Sequence, residues 1–66
     1  MKGELTKRQL EVLQAMADGG VAKVARGRLG IGHNTFWEHM KAAGERLGTQ
    51  GSVQAVAEGF RRGLLR

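Results

Sequence analysis

The sequence lacks cysteine and has no long apolar run, and each absence excludes a class of protein. Without cysteine the chain has no disulfide bonds and no thiolate metal sites, so it carries no redox requirement and fits a reducing cytoplasm. The N-terminus is polar, and no apolar run approaches the roughly 20 residues that a membrane span needs. The sequence therefore predicts a cytoplasmic protein with no membrane segment.

Catalytic and metal-binding patterns are missing as well. There is no carboxylate pair, nucleophile–base set, phosphate loop or metal-ligand cluster. The two histidines, His33 and His39, are on different faces of a predicted helix and have no cysteine beside them. A chain of 66 residues forms one small domain, 1–66, with no room for a cleft between domains. We expect neither an enzyme nor a cofactor.

Acidic residues are absent from 21–37, whereas basic residues cluster there. The chain as a whole has eleven Lys and Arg against six Asp and Glu, a net charge of +5. Lys23, Arg26 and Arg28 lie close together in the acid-free segment. A second basic group ends the chain: Arg61, Arg62 and Arg66. This distribution favours a polyanionic partner, with a solubility charge as the simpler alternative.

The spacing of apolar residues predicts an all-α fold, because no segment alternates with period two over the length of a strand. Four helices are expected at about 6–18, 21–28, 34–47 and 52–63. The second and third are separated by a short turn that contains glycine. Helix, turn, helix is the arrangement of many DNA-binding domains, with the third helix as the candidate recognition helix.

Capping residues indicate where the helices begin and end. Thr6 and Gln9 have the spacing of a capping box, and Leu5 and Leu10 have that of a hydrophobic staple. At the fourth helix we expect Ser52 to form the N-cap. Gly63 is expected to end that helix.

Each helix has apolar residues at helical spacing, which we expect to face the core. In the first helix these are Leu10, Leu13, Met16 and Ala17. In the second they are Val21, Leu29 and either Val24 or Ala25. In the third they are Phe36, Met40, Ala43 and Leu47. In the fourth they are Val53, Val56, Ala57 and Phe60.

Residues at fixed spacing run through nearly the whole chain without a gap. They are Leu5, Thr6, Arg8, Glu11, Val12, Leu13, Leu29, Ile31, Thr35, His39, Leu47, Ala55, Val56, Gly63, Leu64 and Leu65. This order resembles the DNA-binding domain of LuxR-type (GerE-like) regulators, with its L-T-x-R-E-x-E-V-L, L-x-I-S, T-V-x-x-H, K-L, A-V and G-L-L elements. The resemblance implies a four-helix domain whose second and third helices read DNA, and pairing of two copies through the fourth.

In such regulators this domain usually follows a sensory or receiver domain. Nothing precedes it in this chain, so we expect a stand-alone effector or an excised domain. Two departures from the family pattern affect the second and third helices. Arg26 falls where a small residue is usually buried, unless a shift by one residue brings Val24 and Ala25 inward. Gly32 replaces the capping serine, so we expect the cap of the third helix either to pass to Asn34 or to be weaker.

The candidate recognition helix carries Trp37 where the family commonly has a polar residue. Three interpretations are open for Trp37: contact with a thymine methyl, a hot spot for a protein partner, or packing against arginines of the second helix. For Glu38 the alternatives are a hydrogen bond from a cytosine amino group and an ion pair with Lys41. The resemblance implies that Thr35 and His39 contact or flank the phosphate backbone, with a locally bonded, half-buried histidine as the alternative for His39.

The sequence thus predicts a sequence-specific regulator that binds double-stranded DNA, with the third helix in the major groove. The candidate DNA-binding residues are Lys23, Arg26, Arg28, His33, Asn34, Thr35, Trp37, Glu38, His39, Lys41 and Arg46. The alternative function is a protein-interaction module of the same fold that binds a transcription factor or polymerase subunit.

The fourth helix has more apolar residues than one buried stripe needs. We expect it to form a homodimer interface, although the same residues would also serve to close the core of a monomer. The candidate interface residues are Val53, Val56, Ala57, Gly59, Phe60 and Leu64. Gly59 would allow a second helix to approach closely.

Overall fold

The computed structural model describes residues 4–66, which form four α-helices and no strand. The helices are α1 (Lys7–Gly19), α2 (Ala22–Leu29), α3 (His33–Leu47) and α4 (Ser52–Arg61). The expected all-α fold of four helices is confirmed. The largest difference from the expected bounds is at the end of α4, which was predicted at 63 and lies at Arg61.

The start of α1 has the capping box that the sequence predicts. The backbone N–H of Gln9 donates to the Thr6 hydroxyl oxygen at 3.1 Å, and the Thr6 N–H donates to the Gln9 side-chain oxygen at 3.0 Å. These bonds satisfy two of the backbone groups that a helix start leaves free. Gln9 is buried, and its amide oxygen accepts the hydrogen bond from Thr6. Leu5 packs against the core.

The buried face of α1 is wider than the predicted stripe. Val12 and Leu13 are fully buried and Ala15 is 8% exposed. Met16 and Ala17 are half-buried and pack against the core as expected, and Leu10 is half-buried as well. The reason is that α1 contacts all three other helices, so its apolar arc is covered from several sides.

Helix α2 turns Ala25 inward, which is one of the two alternatives that the sequence left open. Ala25 is fully buried and Val24 is 44% exposed, whereas Val21 is 54% exposed and its predicted place in the core is wrong. Leu29 packs partly against the core as expected. Arg26 is half-buried, which means that the arginine does not occupy the interior. The small side chain of Ala25 allows α2 to lie against α1.

Helix α3 has the predicted core stripe of Phe36, Met40, Ala43 and Leu47, all of which are buried. Of the two expectations for its cap, a cap at Asn34 is wrong and a weaker cap is confirmed. Asn34 lies inside the helix, and the N-cap is Gly32, in an extended conformation with no side-chain hydrogen bond. The Phe36 N–H donates to the Gly32 carbonyl at 3.0 Å and so starts the helical bonding pattern.

Helix α4 packs through small residues. Ala55 and Gly59 are buried, and Val56 packs partly against the core. Val53, Ala57 and Phe60, which were predicted to face inward, are exposed instead. Small side chains let α4 come close to its neighbours, and this excludes the larger apolar residues from the contact.

The two ends of α4 depend on glycines. Its N-cap is Gly51 rather than the expected Ser52, which is the first residue of the helix. Gly51 has φ 82°, a conformation that favours glycine. Gly63 ends the helix as predicted, with φ 73° and with the Leu64 N–H donating to the Gly59 carbonyl at 2.9 Å.

Candidate nucleic-acid interface

The α2–turn–α3 unit presents one side of α3 to solvent. The turn is tight: the Ile31 N–H donates to the Arg26 carbonyl at 3.1 Å, and the Ile31 side chain packs partly against the core. Helix α3 contacts α1, α2 and α4 through its buried face. Its opposite face is therefore held in a fixed orientation without being covered.

The exposed side of α3 forms a polar row, which we call the outer row. It consists of Asn34, Glu38, Lys41 and Glu45, all exposed and spaced four, three and four residues apart. At 100° per residue, Glu38 lies about 160° around the helix from both Phe36 and Met40. The outer row is thus directed away from the core. Glu45 was not among the predicted site residues, although its spacing of seven residues from Glu38 identifies it.

Trp37 lies beside the outer row and is half-buried. Its ring meets the Phe36 ring edge to face, with centroids 5.3 Å apart, and the His33 ring with centroids 6.4 Å apart. Trp37 also lines a surface depression with Lys41 and with Ser52 at the start of α4. Its described ring partners belong to α3, and part of the indole remains accessible at the surface.

The flank of α3 opposite Trp37 carries Thr35, His39 and Arg46, which lie within about 40° of one another around the helix. Thr35 is exposed and His39 is half-buried. The Arg46 guanidinium donates to the backbone carbonyl of Glu4 at 2.7 Å. Arg46 therefore connects the last turn of α3 to the N-terminal segment of the same chain.

The basic residues of α2 do not share one side. Lys23 and Arg26 are about 60° apart around the helix, whereas Arg28 is about 160° from Arg26. Arg28 lines a depression with Lys7 of α1 and with Arg66 near the chain end. The structure thus separates Arg28 from the other two.

Most carboxylates among the described residues have protein partners. Glu11 pairs with Arg8 at 3.0 Å, and Asp18 accepts a hydrogen bond from Gln14 at 3.0 Å. The side-chain carboxylates of Glu38 and Glu45 make no hydrogen bond or ion pair with any residue in 4–66. The ion pair with Lys41 that was considered for Glu38 is therefore not formed within the described part of the chain.

Glu58, the carboxylate of α4, is bonded to arginines at the end of the helix. Arg62 donates to it at 2.7 Å, and Arg61 lies 3.5 Å away. The hydrogen bond from Arg62, with the charges of both arginines, lowers the pKa of Glu58 below its ordinary value. Arg62 also donates to the Leu47 carbonyl at 3.1 Å, so this cluster joins α4 to the end of α3.

Four of the six candidate interface residues on and after α4 are exposed. Val53, Ala57 and Phe60 follow one side of the helix. Leu64 lies beyond the helix end and lines a depression with residues of α1. Val53, Phe60 and Leu64 are 82%, 48% and 41% exposed. We call Val53, Ala57 and Phe60 the apolar stripe. Val56, in contrast, is packed against the core.

The interpretation of Gly59 as a point of contact for a second copy is corrected by its surroundings. Gly59 is buried, and a Cβ at this position would lie 2.8 Å from Leu65 Cδ1 and 3.2 Å from Leu13 Cδ2. The space that glycine provides is occupied by residues of its own chain.

Residues 4–66 contain neither a metal-binding cluster nor a membrane-spanning helix. No group of three or more histidine, aspartate and glutamate side chains comes together to hold a metal ion there. None of the helices in this range has the length and apolar character needed to cross a membrane.

A family model described as bacterial regulatory proteins, luxR family, matches residues 3–58. The match covers α1, α2, α3 and most of α4, and thus includes the complete helix-turn-helix unit. No curated protein matches the sequence significantly. The family match agrees with the four helices of the structure. The chain belongs to the luxR family of bacterial regulatory proteins.

Proposed function

We propose that this protein is a sequence-specific transcriptional regulator that binds double-stranded DNA with α3 in the major groove. The observation that carries the proposal is the division of α3 into a buried apolar face and an exposed polar row. An α-helix fits the major groove, where each base pair presents its own pattern of donors and acceptors. Membership of a family of bacterial regulators supports this function and a cytoplasmic site of action.

The residues around the outer row suggest how the contacts would be divided. Asn34 and Lys41 have side chains suited to base edges. Thr35, at the start of α3, is placed for a phosphate contact, and the first turn there has no side-chain cap. Lys23 and Arg26 would hold the backbone of the same duplex from α2.

The other candidates have different parts in this proposal. His33 and His39 flank the outer row and would lie near phosphates. Trp37 would offer its accessible edge to a thymine methyl while its buried edge stays on Phe36. Arg28 and Arg46 are placed against other parts of the chain, which favours a structural role for both.

We propose further that two copies pair through the apolar stripe. Val53 is 82% exposed. A single exposed apolar residue is common on a protein surface, but several that line one side of a helix indicate an interaction site. A two-fold pair would present two α3 helices to two half-sites about one DNA turn apart. The total basic surface facing the duplex would double.

Selection from a random duplex library, followed by sequencing, tests the proposal. We expect an enriched motif made of two inverted halves. Titration of the selected duplex, followed by Trp37 fluorescence, should show affinity falling with salt at a logarithmic slope of about −0.9 per neutralised phosphate. Failure to enrich any motif, together with no micromolar binding at low salt, would contradict it.

A second candidate function rests on Trp37 and the acidic residues beside it. A half-exposed indole next to the unpaired carboxylate of Glu38 is also suited to a protein partner, for which tryptophan is a frequent hot spot. In that case the domain would bind a transcription factor or polymerase subunit. The variant Trp37→Ala separates the two functions: loss of polymerase binding with unchanged DNA affinity supports the second, and the reverse result supports the first.

A further inference from the structure

Glu38 is an exposed carboxylate in the middle of the outer row. Asn34 precedes it by four residues and Lys41 follows it by three, a spacing at which helical ion pairs commonly form. The Glu38 carboxylate nevertheless has no partner among residues 4–66. On a protein of net charge +5, the proposed DNA-reading face thus carries a free negative group at its centre.

A carboxylate in the major groove selects strongly among the bases. It only accepts hydrogen bonds, so it is repelled by the N7 and O6 acceptors of guanine and by the O4 acceptor of thymine. Adenine offers an amino donor, but its N7 acceptor lies beside that donor. Cytosine presents its N4 amino group with no acceptor on the same base in the major groove. Among the four bases, cytosine is therefore the best partner for a glutamate.

We infer that Glu38 is a specificity-determining residue that selects cytosine at one position of each half-site. The inference rests on the proposed function, because it requires α3 to lie in the major groove. An unpaired carboxylate near phosphates opposes binding to duplexes in general. Its hydrogen bond to cytosine offsets this repulsion only at the correct base pair, so Glu38 acts by rejecting the other sequences.

The position of Glu38 along α3 limits its influence to a short part of the half-site. At a rise of 1.5 Å per residue, it lies about 6 Å from Asn34 and about 4.5 Å from Lys41 along the helix axis. These spacings exceed the rise of about 3.4 Å per base pair, so each side chain would reach a different pair. Glu45 lies about 10.5 Å further along the same row and is also unpaired, which makes it a matched control.

The experiment compares the base preferences of the intact protein, Glu38→Gln, Glu38→Ala and Glu45→Ala. Each protein is used in duplex selection and then in competition with single-base variants of the selected duplex. We expect the unaltered protein to favour cytosine at one position per half-site by about 5-fold or more. Glu38→Gln should shift that preference to adenine, because glutamine bonds to both N6 and N7 of adenine.

Glu38→Ala should lose the preference at that position and bind random duplexes at least as tightly, with an unchanged salt slope, because no phosphate contact is removed. Glu45→Ala should keep the cytosine preference. The inference is overturned if both Glu38 variants retain the original base profile, or if Glu45→Ala changes the same position equally; the proposed function survives either result. If the unaltered protein enriches no motif and binds no duplex at low salt, the proposed function fails and the assignment of Glu38 fails with it.

Discussion

The side-chain amide of Gln14 holds the backbone of Arg66 through two hydrogen bonds. The Arg66 N–H donates to the Gln14 oxygen at 3.0 Å, and the Gln14 amide nitrogen donates to the Arg66 carbonyl at 3.2 Å. The two residues are 52 positions apart in the sequence. Because Leu65 immediately precedes Arg66, these bonds help to keep the Leu65 side chain in the core, where it is only 7% exposed.

Replacing Gln14 with methionine should loosen this attachment. Methionine has a similar helix propensity and length but lacks the amide, so the change removes both bonds to Arg66 together with the exposed bond to Asp18. The bonds are exposed, and we expect a combined loss of about 1 kcal/mol of stability. The midpoint of thermal unfolding should then be about 4–8 °C lower. Glu45→Met is the control. An equal loss of stability in this variant would show that the hydrogen bonds between Gln14 and Arg66 make no specific contribution.

Gly59 and Gly27 should respond to alanine in opposite directions. At Gly59 the new methyl would lie 2.8 Å from Leu65 Cδ1, so Leu65 has to move. Overpacking of this kind costs about 1–3 kcal/mol and outweighs the gain in helix propensity, which is about 1 kcal/mol. At Gly27, in α2, nothing lies within 4 Å, and alanine should stabilise the protein by about 0.5–1 kcal/mol. Chemical denaturation of both variants measures the difference, and a stabilised Gly59→Ala would contradict the packing described.

The features that were predicted correctly depend on residues that lie close together in the sequence. The capping box of Thr6 and Gln9 is complete within four positions of the chain. The buried stripe of α3, from Phe36 to Leu47, is the only large apolar series on that helix, so its periodicity identifies one face without ambiguity. In both cases the local pattern and the tertiary structure favour the same arrangement.

Helix α4 shows why the same reasoning fails elsewhere. Two series on this helix have helical spacing: the small pair Ala55 and Gly59, and the larger series that includes Val53 and Phe60. Hydrophobicity favours the larger series for the core. The structure buries the small pair because Leu65, from beyond the helix, fills the space above Gly59. That contact depends on the path of the chain after the helix, and the spacing of apolar residues does not predict this path.

The partner that the structure gives Arg46 could not be predicted from the sequence for a related reason. Arg46 looked like a phosphate ligand because it is basic and lies on α3. Its hydrogen bond reaches the Glu4 carbonyl, 42 positions earlier, and such a distant partner leaves no local signal. The separation of Arg26 from Arg28, in contrast, follows from their spacing of two residues on a helix and was available from the sequence.

The Glu58–Arg62 pair should make part of the stability depend on pH. The pKa of Glu58 is lowered in the folded protein, chiefly by the hydrogen bond from Arg62. A lowered pKa means that the stabilisation is present above the ordinary value of 4.5 and is lost as the pH falls through the folded value. The free energies of unfolding of the unaltered protein and of Glu58→Gln should therefore differ above pH 4.5, and this difference should become smaller as the pH falls below 4.5.

Denaturant unfolding at a series of pH values measures this effect. Glu45→Gln provides the control, because the Glu45 carboxylate is exposed and has no bonded partner in the described part of the chain. A constant difference between the unaltered protein and Glu58→Gln from neutral to acid pH would rule out the contribution of the ionised pair.

Phe60→Asp should separate the proposed dimer without unfolding the monomer. Phe60 is 48% exposed on the apolar stripe, and a carboxylate on each copy would meet its equivalent across a two-fold axis. We expect the dimer dissociation constant, measured by sedimentation equilibrium, to rise at least tenfold. Val24→Asp, at 44% exposure on α2, is the matched control and should leave association unchanged. A monomeric unaltered protein at high concentration would refute the pairing through α4.

Lys23→Ala should reduce the salt dependence of DNA binding while leaving base preference unchanged. Lys23 is exposed on α2, about 60° around the helix from Arg26, and is proposed to neutralise one phosphate. Removing one such contact lowers the magnitude of the logarithmic salt slope by about 0.9 and weakens binding to all duplexes alike.

Arg61→Ala removes the same charge from a side chain that is 80% exposed on α4. The two variants therefore have equal net charge, and long-range attraction to DNA changes equally in both. Only a residue that contacts a phosphate alters the number of counterions released, so Arg61→Ala should retain the original slope. If both variants change the slope by the same amount, Lys23 acts through net charge alone and α2 does not hold the backbone.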